Sequence, residues 1–206
     1  MEINLPNIVT AARIALIPIF AVIYVLADAG HWLAALLFAS AAFTDWLDGY
    51  LARRLNQTTP FGAFLDPVAD KLIVVTALVL LIGSHANLWL TIPGVIIIGR
   101  EIVVSALREW MSEVNRRGLV AASWTGKLKT ALQMLSIVIL LANTAGLDKP
   151  WVLLGYMLLY AAALMTLWSM VAYLRAAWPT LLDGLSAPPP KPSAPPVARS
   201  RSSSME

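Results

Sequence analysis

Apolar residues run along this chain in six long blocks separated by short polar breaks, at about 8–27, 32–54, 61–83, 88–112, 124–143 and 150–176. About 20 apolar residues wound into an α-helix cross the ~30 Å hydrocarbon core of a bilayer. The pattern predicts an all-α integral membrane protein with six transmembrane helices. The first block could be mistaken for a signal peptide. Met1–Leu5 carries no basic residue, however, and the run from Ile8 to Ala27 lacks a clear small-residue cleavage site. It is predicted as the first transmembrane helix.

Composition agrees. Of 206 residues, 59% are hydrophobic and 13% charged, and the mean hydropathy is +0.72. A soluble domain is excluded on that balance. There is no cysteine, so disulfide and thiol chemistry are excluded too. Only the tail differs. Residues 184–206 are rich in Pro, Ser and Arg and cannot bury a core, so a disordered tail is expected after a single transmembrane domain over 1–183.

Lysine and arginine set the expected orientation. The breaks near 28–31 and 83–87 contain neither, and the break near 143–150 contains only Lys149. Basic residues gather at Arg53 and Arg54, at Arg108, Arg116 and Arg117, at Lys127 and Lys129, and after Arg175. In a six-helix chain these regions share one side, assigned to the cytoplasm. Both termini then face the cytoplasm. Most tryptophans fall near block ends, as interfacial anchors do. His31 and His85 are expected to be solvated residues of the opposite loops. No nucleic-acid partner is expected.

The polar break between the second and third blocks is flanked by carboxylates. Asp45 and Asp48 are three apart, Asp66 and Asp70 four apart, and all four fall within 26 residues. On helices each pair shares a face, and a hairpin brings the pairs together at one membrane face. Carboxylates beside a bilayer need a compensating cation. Hard oxygen ligands select Mg²⁺, Mn²⁺ or Ca²⁺, and four carboxylates can bridge two ions, an arrangement suited to displacement at phosphorus. Gly49 and Ala52 are small enough to let a bulky ligand approach the backbone. Arg53 offers a planar fork to phosphate oxygens. The alternative is structural ion pairing with Arg53, Arg54 and Lys71, but the acids outnumber these bases.

Two further groups of polar residues interrupt apolar helices. Arg100 and Arg108 lie on one stripe of the fourth block, and Lys127 and Lys129 open the fifth. They are read as an anion pocket beside the aspartates, for a phosphorylated acceptor or a lipid phosphate. The alternative is pairing with Glu101 and Glu109 plus contact with anionic headgroups. Asn7, Thr10 and Arg13 recur every three residues and form a polar edge on the first helix. They are read as a substrate edge, or as an Asn7 cap plus an arginine snorkelling to the interface.

The run D-x-x-D-G-x-x-A-R-(x8)-G-x-x-x-D-x-x-x-D, from Asp45 to Asp70, resembles the signature of the CDP-alcohol phosphatidyltransferase family at every fixed position. The resemblance implies transfer of a phosphatidyl group from a CDP-linked lipid to an alcohol, with release of CMP. It implies two divalent cations, Mg²⁺ or Mn²⁺, on Asp45, Asp48, Asp66 and Asp70, with Asp70 also the base. It places Gly49, Ala52, Arg53 and Gly62 around the CDP-lipid, CDP-diacylglycerol. The flanks around Asn7, Arg100, Arg108 and Lys127 resemble the phosphatidylglycerophosphate synthase branch of that family. That branch implies sn-glycerol 3-phosphate as acceptor, held by Arg100, Arg108, Lys127 and Lys129, in a bacterial inner membrane. Family members are often homodimers. Rival acceptors are inositol phosphate, serine and phosphatidylglycerol, and a cation transporter is the rival from another class.

Overall fold

The computed structural model describes residues 5–26, 32–55, 60–113, 124–143, 145–146 and 148–186. Among them are six helices: α1 (Leu5–Leu26), α2 (Trp32–Leu55), α3 (Pro60–His85), α4 (Leu88–Glu113), α5 (Trp124–Ala142) and α6 (Pro150–Ser186). Each coincides with one apolar block. The largest difference is at α6, which runs ten residues past the expected end at 176. There Ala177 is buried against Leu107 and Met111 of α4, with Tyr173 and Leu174 beside it. That packing carries the helix on through Pro179, and the boundary expected after 183 falls inside its last turn. The tail after 186, His31, Arg116 and Arg117 lie outside the described residues.

Connection lengths fix the topology. Two residues join α3 to α4, four join α2 to α3 and five join α1 to α2. A segment of n residues reaches at most about 3.6 Å × n, whereas each of these helices is over 30 Å long at ~1.5 Å per residue. The chain must therefore run up and down. The start of α1, the end of α2, the start of α3 and the end of α4 lie at one end of the bundle. The tight α3–α4 turn is built by Ala86 in the left-handed region (φ 47°). Asn87 caps α4, its Oδ1 accepting from the Leu90 amide at 3.0 Å.

The helices bury stripes spaced by three and four residues. In α1 the stripe is Thr10, Arg13, Ile17, Phe20 and Tyr24; in α4 it includes Leu90, Ile97, Arg100, Val104, Leu107 and Met111. In α5 it is Lys129, Gln133, Ser136, Ile137, Leu140 and Leu141. One core joins all six helices through residues such as Phe20, Phe38, Leu78, Leu81, Leu140 and Leu159. Each of these stripes changes character along its length. In α1 and α5 the apolar part builds that core and the polar part lies toward the bundle end holding the start of α1, whereas in α4 Arg100 interrupts a stripe that is apolar on both sides.

The outside is the reverse. Trp168, Leu88, Leu26, Val25 and Leu164 are among many large apolar side chains left exposed, more than a soluble monomer tolerates. Among the described residues, three helices are long and apolar enough to cross a membrane, over Pro67–His85, Leu88–Met111 and Pro150–Pro179, and shorter apolar stretches cover Thr10–Leu26 and Trp32–Thr44. This is the surface of a membrane protein.

His85 overturns one expectation. It is not a solvated loop residue but the last residue of α3, 8% exposed. Its Nδ1 lies 2.9 Å from the Tyr156 hydroxyl of α6, which also accepts from Asn87 Nδ2 at 2.8 Å. Nearby, the Tyr24 hydroxyl meets Ser84 Oγ at 2.7 Å and ties α1 to α3. A short turn between packed helices has no room to expose the imidazole, so a buried hydroxyl satisfies it. Tyr156→Phe removes the shared hydroxyl and is expected to cost about 1–3 kcal/mol. A lower thermal midpoint in detergent checks this, and an unchanged midpoint would show that the contact carries no stability.

Candidate active site

The aspartates are placed first by the backbone. Asp45 and Asp48 lie in the last three turns of α2, and Asp66 and Asp70 in the first three turns of α3. The four-residue connection reaches at most ~18 Å from Leu55 to Pro60, so both pairs occupy the same end of the bundle. Pro60 opens α3, where its fixed φ and missing N–H are tolerated. The side chains of Asn7, Asp45, Asp48, Gly49, Ala52, Arg53, Gly62 and Asp66 lie outside the description. Of the acidic set, only the Asp70 side chain is described.

Asp70 is held by α1. Arg13 Nη1 donates to Asp70 Oδ1 at 2.7 Å. The Arg13 side chain is 3% exposed and Asp70 40%. Arg13 therefore does not snorkel to the interface; it points inward, on the stripe that carries Phe20 and Tyr24. Thr10, 2% exposed, lies one turn earlier on the same stripe. Asn7 lies within α1, helical from Leu5, and so is not its N-cap.

The basic residues of α4 and α5 meet at the same end. Arg100 is 7% exposed and Lys129 8%. Lys129 lies within electrostatic reach of Arg100, Arg108 and Glu101. Among the described residues, Lys129 is thus near two further cations and one carboxylate. Arg100 Nη1 donates to Glu101 Oε2 at 3.1 Å, the in-helix pairing expected as the alternative. Its Nη2 donates to Ser169 Oγ of α6 at 3.1 Å. Arg108 is exposed. Its Nη2 donates to the Tyr173 hydroxyl at 3.2 Å, and its Cζ lies 5.4 Å from that ring's centroid. Lys127 is exposed.

The family model described as CDP-alcohol phosphatidyltransferase matches residues 3–168. This chain belongs to the CDP-alcohol phosphatidyltransferase family. Among its relatives is the CDP-diacylglycerol–glycerol-3-phosphate 3-phosphatidyltransferase of Pseudomonas fluorescens, 60% identical over 181 residues, 86% of this chain and 92% of the relative. The protein of the same name from Haemophilus influenzae is 47% identical over 186 residues, 90% and 99% of the two chains. That from Salmonella typhimurium is 49% identical over 185 residues, 89% and 100%. The matched span contains Arg13, Asp70, Arg100, Arg108 and Lys129 together with the whole Asp45–Asp70 run.

For this family member, sequence reasoning passed over the α6 side of the group. Ser169 and Tyr173 sit four apart on α6, as do many small and aromatic residues of apolar helices. No pattern distinguishes them; only their contacts with Arg100 and Arg108 do. Gln133 and Ser136 continue the Lys129 stripe of α5, with Ser136 Oγ donating to the Gly155 carbonyl at 2.7 Å. The absent side chain at Gly155 lets α5 and α6 come this close, for a Cβ there would lie 2.8 Å from Leu140. Arg13→Ala breaks the α1–α3 ion pair. The expected loss is about 1–3 kcal/mol, below that of a fully buried pair because Asp70 is partly exposed. A thermal midpoint unchanged in detergent would exclude a structural role for the pair.

Proposed function

We propose that this chain transfers the phosphatidyl group of CDP-diacylglycerol to sn-glycerol 3-phosphate, giving phosphatidylglycerol phosphate and CMP. The names and coverage of its relatives support the substrates. The convergence of Arg100, Arg108 and Lys129 at the end of the bundle that also holds the Arg13–Asp70 pair supports the acceptor assignment. A dianionic phosphate entering an apolar bundle needs that surplus of positive charge. Family membership displaces the transporter reading.

All six helices cross the bacterial inner membrane in this reading, with both termini and the polar end of the bundle facing the cytoplasm. The basic residues of the chain gather toward that end, where a water-soluble acceptor can enter. The acyl chains of the lipid substrate remain beside the exposed apolar faces. The enzyme works as a homodimer.

Asp45, Asp48, Asp66 and Asp70 would hold two divalent cations, Mg²⁺ or Mn²⁺. Their donor set fits, being all hard carboxylate oxygens brought to one end of the bundle by α2 and α3. When bound, the cations supply charge neutralisation at the diphosphate and at the departing CMP phosphate. Gly49, Ala52, Arg53 and Gly62 seat the CDP group. Arg100, Arg108, Lys127 and Lys129 orient the acceptor by its phosphate. Asp70 accepts the proton from the C1 hydroxyl as its oxygen attacks the β-phosphorus. A new phosphorus–oxygen bond forms, the diphosphate bond breaks, and its electrons leave on CMP. Arg13 keeps the Asp70 carboxylate oriented for that transfer. Asn7 and Thr10 continue the α1 edge of the site.

The deciding assay is CMP release by the purified protein from CDP-diacylglycerol, with and without glycerol 3-phosphate, in Mg²⁺ and in EDTA. Release is expected only with both the cation and glycerol 3-phosphate. Release only with another alcohol would remove the acceptor assignment; release in EDTA would remove the cations. Asp70→Asn is expected to lower turnover by about 10³-fold or more, while CDP-diacylglycerol still binds. Full activity in that variant would take Asp70 out of the mechanism.

A further inference from the structure

We infer that Ser169 and Tyr173 of α6 are positioning residues for the acceptor phosphate, acting by fixing the guanidinium groups of Arg100 and Arg108. The inference rests on the reading above that these arginines hold that phosphate. It adds a helix that neither the aspartate motif nor the basic residues point to.

The hydrogen-bond directions define the role of Ser169. Its Oγ donates to the Thr166 carbonyl at 2.9 Å. The hydroxyl has one proton, so toward Arg100 it can only accept, and Arg100 Nη2 supplies that bond at 3.1 Å. Glu101 takes Nη1. The guanidinium is thereby held from two sides. Its buried Nε has no hydrogen-bond partner among the described residues. An unpartnered N–H on a 7%-exposed cation is costly in an apolar setting. A phosphate oxygen is the ligand that satisfies both the charge and the donor. Glu101 and Ser169 each take a donor of one terminal nitrogen, and the Nε donor is left to meet it.

Tyr173 does the equivalent for Arg108 by other means. Arg108 is exposed, and a long cationic side chain at the end of a membrane helix tends to extend toward water. The Tyr173 hydroxyl accepts from Nη2 at 3.2 Å, and its ring stands 5.4 Å from Cζ. Both contacts draw the guanidinium back against α6. The helices run parallel here: Arg100 meets Ser169, Arg108 meets Tyr173, and Leu107 and Met111 pack with Ala177 further along. One face of α6 therefore sets two arginines that lie two turns apart on α4.

Steady-state kinetics with both substrates varied tests this. Ser169→Ala is expected to raise the KM for glycerol 3-phosphate about tenfold, with the KM for CDP-diacylglycerol within about twofold of the parent. Ser169→Thr, which keeps the hydroxyl, restores the parent KM. Tyr173→Phe keeps the ring and raises the acceptor KM about threefold, and Tyr173→Leu about tenfold. Adding Tyr173→Leu to Arg108→Ala produces no further rise, because the two act through one group. Retained lipid KM shows that each variant is folded. If Arg108→Ala raises the acceptor KM but Ser169→Ala, Tyr173→Phe and Tyr173→Leu leave it unchanged, or move both KM values together, the positioning role is wrong and the pocket stands. If Arg108→Ala itself leaves the acceptor KM unchanged, the pocket reading fails and the α6 roles fail with it.

Discussion

Charge buried among apolar side chains must find an opposite charge or a dipole, and that requirement shapes this bundle more than any other. The bond of 2.7 Å between Arg13 and Asp70 is its clearest expression. Arg13 sits on a buried stripe that continues to the aromatic residues Phe20 and Tyr24. Placing it there commits α1 to lie along α3 at the height of Asp70. Because α1 also packs on α2, that commitment helps to set where the helix carrying Asp45 and Asp48 must run.

The same logic divides the molecule into two halves. Toward the end marked by His85 and Tyr156, the interior is mostly leucine, isoleucine, phenylalanine and alanine. Its few polar groups bond to one another. Toward the other end the inward stripes carry Thr10, Arg13, Arg100, Lys129, Gln133 and Thr166. A well-packed half holds the helices rigid, so the polar half can keep cations and a carboxylate in fixed positions without collapsing on them. Helix α6 packs on both α4 and α5, and it contributes to both halves along its 37 residues.

The helices were legible because lipid-length apolar blocks with polar breaks leave few other solutions. The α2–α3 connection was legible for the same reason, and the Asp45–Asp70 run carries the signature of the family to which the chain belongs. The partners of the charged residues were not. A sequence shows that Arg13 is a cation on an apolar helix; it does not show that the side chain turns inward to Asp70. His85 was misread because a histidine beside a loop is usually wet, and its partner Tyr156 lies 71 positions away. Ser169 and Tyr173 were invisible because serine and tyrosine are ordinary in such helices. Contacts between distant helices depend on rotation about each helix axis, which the hydrophobic pattern fixes only coarsely.

The uneven apolarity of the helices bears on how the chain enters a membrane. Stretches in α3, α4 and α6 are long and apolar enough to cross a membrane. Helix α5 carries Lys129 and Gln133 on its inward face. On its own it would present those groups to hydrocarbon. Its main neighbour, α6, is made after it, and the Ser136–Gly155 bond that joins them forms only once both are present. The Ser136 hydroxyl of α5 therefore finds its carbonyl partner only once α6 is in place.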